Sequence, residues 1–323
     1  MGDILARITA RYGFAGPIVQ AYELPALLVG MAITLVIAIG LTTGIVDCNA
    51  AQLAGIFFDI AVIWVGGAAI AIFGMTRLGH FARLAAVFIL LLVSTAWASD
   101  VLALVSLPYA DAMFATADAR LFGGFDWPTM AAAVRPHTNA LTVLSYAYAS
   151  LDWQPILLLT MLCWFHEYKF AWCFLVAWAI ALAFCLMVFP FLPAVGGYVH
   201  FNIHPEAMPG VEVMSAWKYP VLLEKLHSGV FRTLNYGSLN GIIAMPSFHA
   251  ASAVLLAWGY GGVKWLRWPF LALNIVMLVS AVPIGGHYLV DIVAGVAVAC
   301  LSILLANVWA GKPAYRAAFA AGR

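Results

Sequence analysis

The chain has 323 residues, 65% of them hydrophobic and 9% charged, and its 15 basic and 14 acidic side chains leave a net charge of +1. An ordinary soluble domain is about a quarter charged, so this composition excludes water as the main solvent and points to membrane lipid. The near-neutral balance also excludes a broad field for gathering nucleic acid.

Arg7 and Arg11 precede the first long apolar run, which is too long for the core of a signal peptide and is expected to stay in the membrane. A hydrocarbon core of about 30 Å needs about 20 apolar residues in helix. Stretches of that kind fall near 24-46, 52-74, 84-107, 139-165, 169-193, 247-263, 267-284 and 287-310. The fold class expected is all-α, a polytopic transmembrane helical bundle of about eight spans forming one domain over 1-323. Asp152, Gln154 and Pro155 interrupt the fourth span, which then reads as two shorter pieces and brings the count toward six or seven. Two segments between spans, 108-138 and 194-246, are long enough to build structure above the membrane. Turn signals such as Gly123-Gly124 and Gly196-Gly197 make them connected short pieces rather than soluble domains.

Orientation follows from the basic residues, which collect in short cytoplasmic loops. With the N-terminus inside, Arg7, Arg11, Arg77, Arg83, Lys169, Lys264, Arg267, Lys312, Arg316 and Arg323 all fall on the inner side. Arg120, Arg135, Lys218, Lys225 and Arg232 occupy the two outer segments. Both termini are therefore expected in the cytoplasm.

The five cysteines show no C-x-x-C spacing and read as apolar fillers, not as a disulfide framework or a zinc site. His200, His204 and His227 are spaced too irregularly for a metal, and His80 and His166 lie at inner ends. No cofactor or metal is called for. Asp59, Asp100 and Asp152 fall inside spans, where they either line a polar cavity or bond to neighbouring helices.

After the second outer segment comes Met245-Pro246-Ser247-Phe248-His249, followed at once by an apolar run. Proline suits a helix start, so His249 belongs in the first turn of a span, where free N-H groups and the helix dipole favour a phosphate. Gly285-Gly286-His287-Tyr288-Leu289-Val290-Asp291 opens the last span. His287 and Asp291 are four apart, on one helical face, so the carboxylate can hold one imidazole N-H and leave the other nitrogen free to attack. Both helices start on the outer side, which brings His249, His287 and Asp291 to one level.

Pro246-Ser247-Phe248-His249 resembles the second motif of the type 2 phosphatidic acid phosphatase superfamily, written P-S-G-H, and Ser280 to Asp291 resembles its third, S-R-x5-H-x3-D. The likeness spans residues 246-295. It implies His287 as a nucleophile forming a phosphohistidine, Asp291 as its orienter and His249 as the acid that protonates the leaving alkoxide. Phe248 stands where glycine is usual, Ala281 where the arginine is usual, and no K-x6-R-P motif is readable. These departures, with Arg232-Thr233-Leu234 and Gly241-Ile242-Ile243-Ala244, resemble the branch that includes inositol phosphorylceramide synthases, which transfer a phosphoryl-linked head group between lipid and alcohol.

The activity expected is thus a lipid phosphate phosphotransferase or phosphatase with its site at the extracytoplasmic, periplasmic face. Its substrate is a lipid phosphate or phospholipid. A phosphoryl group needs positive charge around its oxygens. Arg232, Lys218 and Lys225 are the candidates, Arg232 first because a guanidinium binds bidentately, with backbone N-H groups near Ser247 and Gly286 in support. A lipid or ion transporter using Asp59, Asp100 and Asp152 is the alternative, but no inverted repeat accompanies them.

Overall fold

A computed structural model describes residues 20–235, 239 and 241–311. Arg7, Arg11, Lys312, Arg316 and Arg323, half of the ten basic residues assigned above to the inner side, lie outside the described residues. Among the described residues the chain is mainly helical, and its one β pairing is parallel, joining β1 (Asp47–Cys48) to β2 (Thr233–Leu234).

Among the described residues five helices are long and apolar enough to cross a membrane. They are α1 (Leu24–Thr42), α2 (Ala50–Ile72), α3 (Thr76–Ala103), α8 (Tyr168–Val188) and α13 (Leu289–Ala310). Between them lie α4 (Asp111–Leu121), α5 (Trp127–Val134), α6 (Thr138–Ala149), α7 (Gln154–Trp164), α9 (Gly197–His200), α10 (Ser215–His227), α11 (Phe248–Tyr260) and α12 (Arg267–Ser280). The interrupted fourth span is two pieces, α6 and α7, joined by a single 3-10 turn at Ser150–Asp152. Pro155 opens α7, where its missing N-H costs nothing.

The third span starts eight residues earlier than hydropathy alone predicts, because α3 runs on through Arg77 and Arg83. Arg83 is buried in an ion pair with Glu23, the residue before α1, and its guanidinium lies 4.6 Å over the Trp64 ring of α2. A paired charge need not end a membrane helix.

The helix α8 is the most enclosed of the five and packs on α1, α3, α11 and α13. Its Trp172, Phe174 and Trp178 are fully buried. By contrast α1, α2 and α13 turn Met31, Leu35, Phe58, Val62, Leu304 and Val308 outward. In water such surface would be costly, whereas in hydrocarbon it is in its own solvent. The three intramembrane carboxylates differ in surroundings: Asp59 is exposed on α2, Asp100 is buried in α3, and Asp152 is exposed at the α6 to α7 joint.

The described residues of 108–138 and 194–246 form short helices joined by turns. The helix α4 packs beside the start of α13, α9 lies against α4, and α10 lies against α9.

Candidate active site

The helix α11 is capped by Ser247, whose side chain accepts from the Ala250 N-H at 3.3 Å. His249 is therefore the second residue of the helix, as the Pro-Ser signal predicts. Phe248 turns the other way and meets Trp178 of α8 edge-on at 5.2 Å. The residue that replaces the motif's glycine is thus spent on packing.

At the other motif the structure corrects the expected geometry. The helix α13 begins at Leu289, so His287 precedes it and does not share a helical face with Asp291. Asp291 instead reaches back over the helix start: its Oδ2 accepts the Tyr288 N-H at 2.9 Å and lies 3.4 Å from His287 Nδ1. This is capping-box geometry, and it brings the pair together as an ideal helix would have done. The main-chain carbonyl of Asp291 also accepts the Ser247 N-H at 3.1 Å. One residue therefore touches His287 through its side chain and fixes the segment carrying His249 through its backbone.

Two further carboxylates hold the loop before α13. Asp118 of α4 accepts the N-H groups of Leu289 and Val290 at 2.8 and 2.9 Å, which caps the helix from outside. Burial pushes its carboxyl up from the ordinary range, and the two N-H bonds oppose that. Asp111 accepts from the N-H groups of Val195 and Gly196 and from the Tyr288 hydroxyl, all within 3.0 Å.

The two histidine rings stand 6.5 Å apart between centroids and line one small cavity of about 70 Å³. Its other walls are Tyr148 from α6, Val195 and Gly196, Ser215 and Tyr219 from α10, the 241–244 strip, and Gly285 and Gly286. Gly286 has φ of +76°, a conformation open to glycine, and its carbonyl accepts the Gly197 N-H at 2.8 Å. Burial raises the Tyr219 hydroxyl, with the charge of Asp152 as a second cause, so it remains a protonated donor.

Of the residues expected to hold phosphate, Gly286 lines this cavity. Ser247 is fully buried and engaged as a cap. Lys218, Lys225 and Arg232 are exposed, and Arg232 donates to the Gly229 carbonyl at 3.2 Å. Among the described residues no lysine or arginine lines the cavity. Ala281 is fully buried in an apolar cluster with Ile284 and Tyr288, and its carbonyl accepts the His287 N-H at 3.3 Å.

Residues 112–305, more than half of the chain, match the model of the PAP2 superfamily. The chain belongs to that superfamily. No curated protein and no solved structure matches it. Membership in the PAP2 superfamily accounts for a helical membrane fold and for phosphatase-like chemistry on lipid phosphates.

Sequence reasoning missed Asp111, Asp118, Tyr148 and Tyr219. Asp111 and Asp118 are seven apart, hence on one face of a helix, which is the one signal they offered. Tyr148 and Tyr219 offered none, because their partners are more than sixty residues away in the chain.

Proposed function

We propose that this chain transfers a lipid-linked phosphoryl group through a phosphohistidine on His287, at the extracytoplasmic face of the membrane. The observation that carries the reading is two imidazoles lining one cavity, one of them backed by the buried Asp291. In the first step His287 Nε2 attacks phosphorus, and the bond to the leaving alkoxide oxygen breaks in line with it. His249 gives that oxygen a proton. Asp291 faces Nδ1 and stabilises the positive charge that develops on the phosphorylated ring. In the second step an acceptor hydroxyl attacks phosphorus and returns its proton to His249, and the N-P bond breaks. The imidazoles supply both the nucleophile and the acid.

A lipid alcohol as acceptor gives head-group transfer, and water gives hydrolysis. Transfer from a phosphodiester is supported by the absence of any lysine or arginine from the cavity walls among the described residues. A phosphodiester brings one negative charge and a phosphomonoester up to two, and a site built from hydroxyls and backbone N-H groups matches the smaller charge better. The same argument accords with the resemblance to inositol phosphorylceramide synthases. Sidedness is supported by the charge count, with Lys264 and Arg267 at the far end of α11 from His249.

The test is to incubate purified protein with a phospholipid labelled in its phosphate and quench before turnover is complete. Acid-labile label on the wild type and none on His287→Ala is expected. Equal label on both proteins would sink the reading. Mass spectrometry of products formed with and without a lipid alcohol then separates transfer from hydrolysis.

A further inference from the structure

The walls of the histidine cavity differ in what their main-chain N-H groups do. Near His287 these groups are engaged: those of Val195 and Gly196 go to Asp111, that of Gly286 to the Val282 carbonyl at 3.1 Å, and that of His287 to the Ala281 carbonyl at 3.3 Å. The strip 241–244, which leads into the helix of His249, is different. It lies outside every helix and strand, and no hydrogen bond to another described residue engages its N-H groups.

Side chains hold this strip in place instead. Ile242 is 4% exposed and packs with Ala103, Phe189, Leu223 and Leu226. A buried main-chain N-H without a partner is rare, because it costs about as much as a lost hydrogen bond. At Ile242 that cost is met on the wall of the cavity, where an entering acceptor can remove it.

A side-chain donor stands at the same corner. Ser215, Ala216, Tyr219, Pro220 and Leu223 line the cavity at helical spacing, so α10 turns one face to the histidines while Lys218 and Lys225 stay exposed. Tyr219 and Ile243 both pack against the cluster that buries Ile242. Three hydroxyls belong to the cavity walls. That of Ser215 is buried beside the Tyr148 phenol, and Tyr148 lies face to face with the His249 ring, 3.8 Å between centroids. The Tyr219 hydroxyl is engaged by no other described residue.

We propose that the N-H groups of the 242–244 strip and the hydroxyl of Tyr219 seat the two non-bridging oxygens of a phosphodiester, in place of the lysine or arginine that the described walls lack. The inference rests on the phosphoryl-transfer reading of the cavity. A phosphodiester spreads one negative charge over those two oxygens, and fixed neutral donors aimed at them stabilise that charge through the in-line displacement. Such donors carry no net charge of their own, so holding them in a small cavity avoids the cost of a buried, unpaired cation.

The test pairs an altered donor with an altered acceptor in the full chain. Tyr219→Phe keeps the ring and removes only the hydroxyl. Replacing Ile242 by its α-hydroxy acid analogue turns the N-H into an ester oxygen and keeps the side chain in its cluster. Each protein is assayed on a phosphodiester lipid and on both diastereomers of its phosphorothioate, in which sulphur replaces one non-bridging oxygen and accepts hydrogen bonds poorly.

Each change is expected to lower kcat/KM on the oxygen substrate about tenfold, as the loss of a hydrogen bond to a charged group does. On the diastereomer whose sulphur already occupies that donor's place, the same change should cost less than about threefold, because the bond it removes is already weak. Equal losses on all three substrates would overturn the proposal, since a residue that only holds the fold does not distinguish sulphur from oxygen. No loss on any of them would overturn it too. If the ester at 242 prevents folding, the Tyr219→Phe comparison decides alone. The sulphur effect does not depend on what attacks phosphorus. If it appears while His287 takes no label, the phosphohistidine reading fails and the seat stands. If His287 is labelled and the effect is absent, the seat fails and the phosphohistidine reading stands.

Discussion

Gly295 of α13 passes the carbonyl of Ser247 so closely that a β-carbon on it would lie 2.2 Å from that oxygen. Ser247 caps the helix that carries His249, and Gly295 lies one helical turn beyond Asp291. The seam between α11 and α13 therefore sets the distance between the two histidines. Gly295→Ala is expected to force the helices apart, because the obstructing atom is backbone and cannot rotate away. Overpacking of this kind costs about 1–3 kcal/mol. A lower thermal midpoint in detergent and slower turnover are the expected results, and an unchanged midpoint would show that the seam has room.

Asp118→Asn tests the external cap of α13. An amide offers one acceptor atom where the carboxylate offers two, so one of the Leu289 and Val290 N-H groups loses its partner. The expected cost is about 1–2 kcal/mol at neutral pH.

The same variant carries a pH signature. Burial holds the Asp118 carboxyl above its ordinary value in the folded protein, so the folded chain binds that proton more tightly than the unfolded chain. The stability contributed by this group is then greatest at acid pH. It falls as pH rises from the unfolded pKa of about 3.9 through the higher folded value, and it is level above that. Thermal midpoints measured over that window should show this descending component in the wild type and lose it in Asp118→Asn. Identical slopes would mean that the carboxyl titrates alike in both states.

The helical membrane fold was legible because length decides it. The apolar runs that became α1, α2, α8 and α13 are long enough to span whatever they pack against. The start of α3 was not legible, since Arg83 enters the helix only by pairing with Glu23 sixty residues earlier. Likewise the Ser247 cap could be read locally, from Pro246 and the apolar run that follows. The clasp of Asp111 and Asp118 could not, because four of its five partners are backbone N-H groups up to 172 residues away, and backbone groups leave no mark in a sequence. Ala281 could be seen to lack a cation. That its place is an apolar plug behind His287 needed the fold.

Ser247→Ala separates two roles for one hydroxyl. As a cap it contributes about 1 kcal/mol to the start of α11. Its loss should lower the thermal midpoint and kcat together while KM stays nearly constant, and Ser247→Thr should restore both. A rise in KM with an unchanged midpoint would instead mean that the hydroxyl touches the phosphate.

The exposed cations supply the sharpest test of how the site handles charge. A hydrogen bond to a charged group is worth about 1.5–3 kcal/mol, so removing a cation that binds the phosphate should cost tenfold or more. Arg232, Lys218 and Lys225 are exposed and line no wall of the cavity. Arg232→Gln, Lys218→Gln and Lys225→Gln are therefore each expected to lower kcat/KM for a phosphodiester by less than about threefold, as exposed charges screened by solvent do. A tenfold loss at Arg232 would show that its guanidinium reaches the substrate in the working complex. The wild type should also favour phosphodiesters over phosphomonoesters of the same lipid. The margin should widen as pH rises through the monoester's second pKa, about 6, because the second negative charge then enters a cavity whose described walls include no lysine or arginine to meet it.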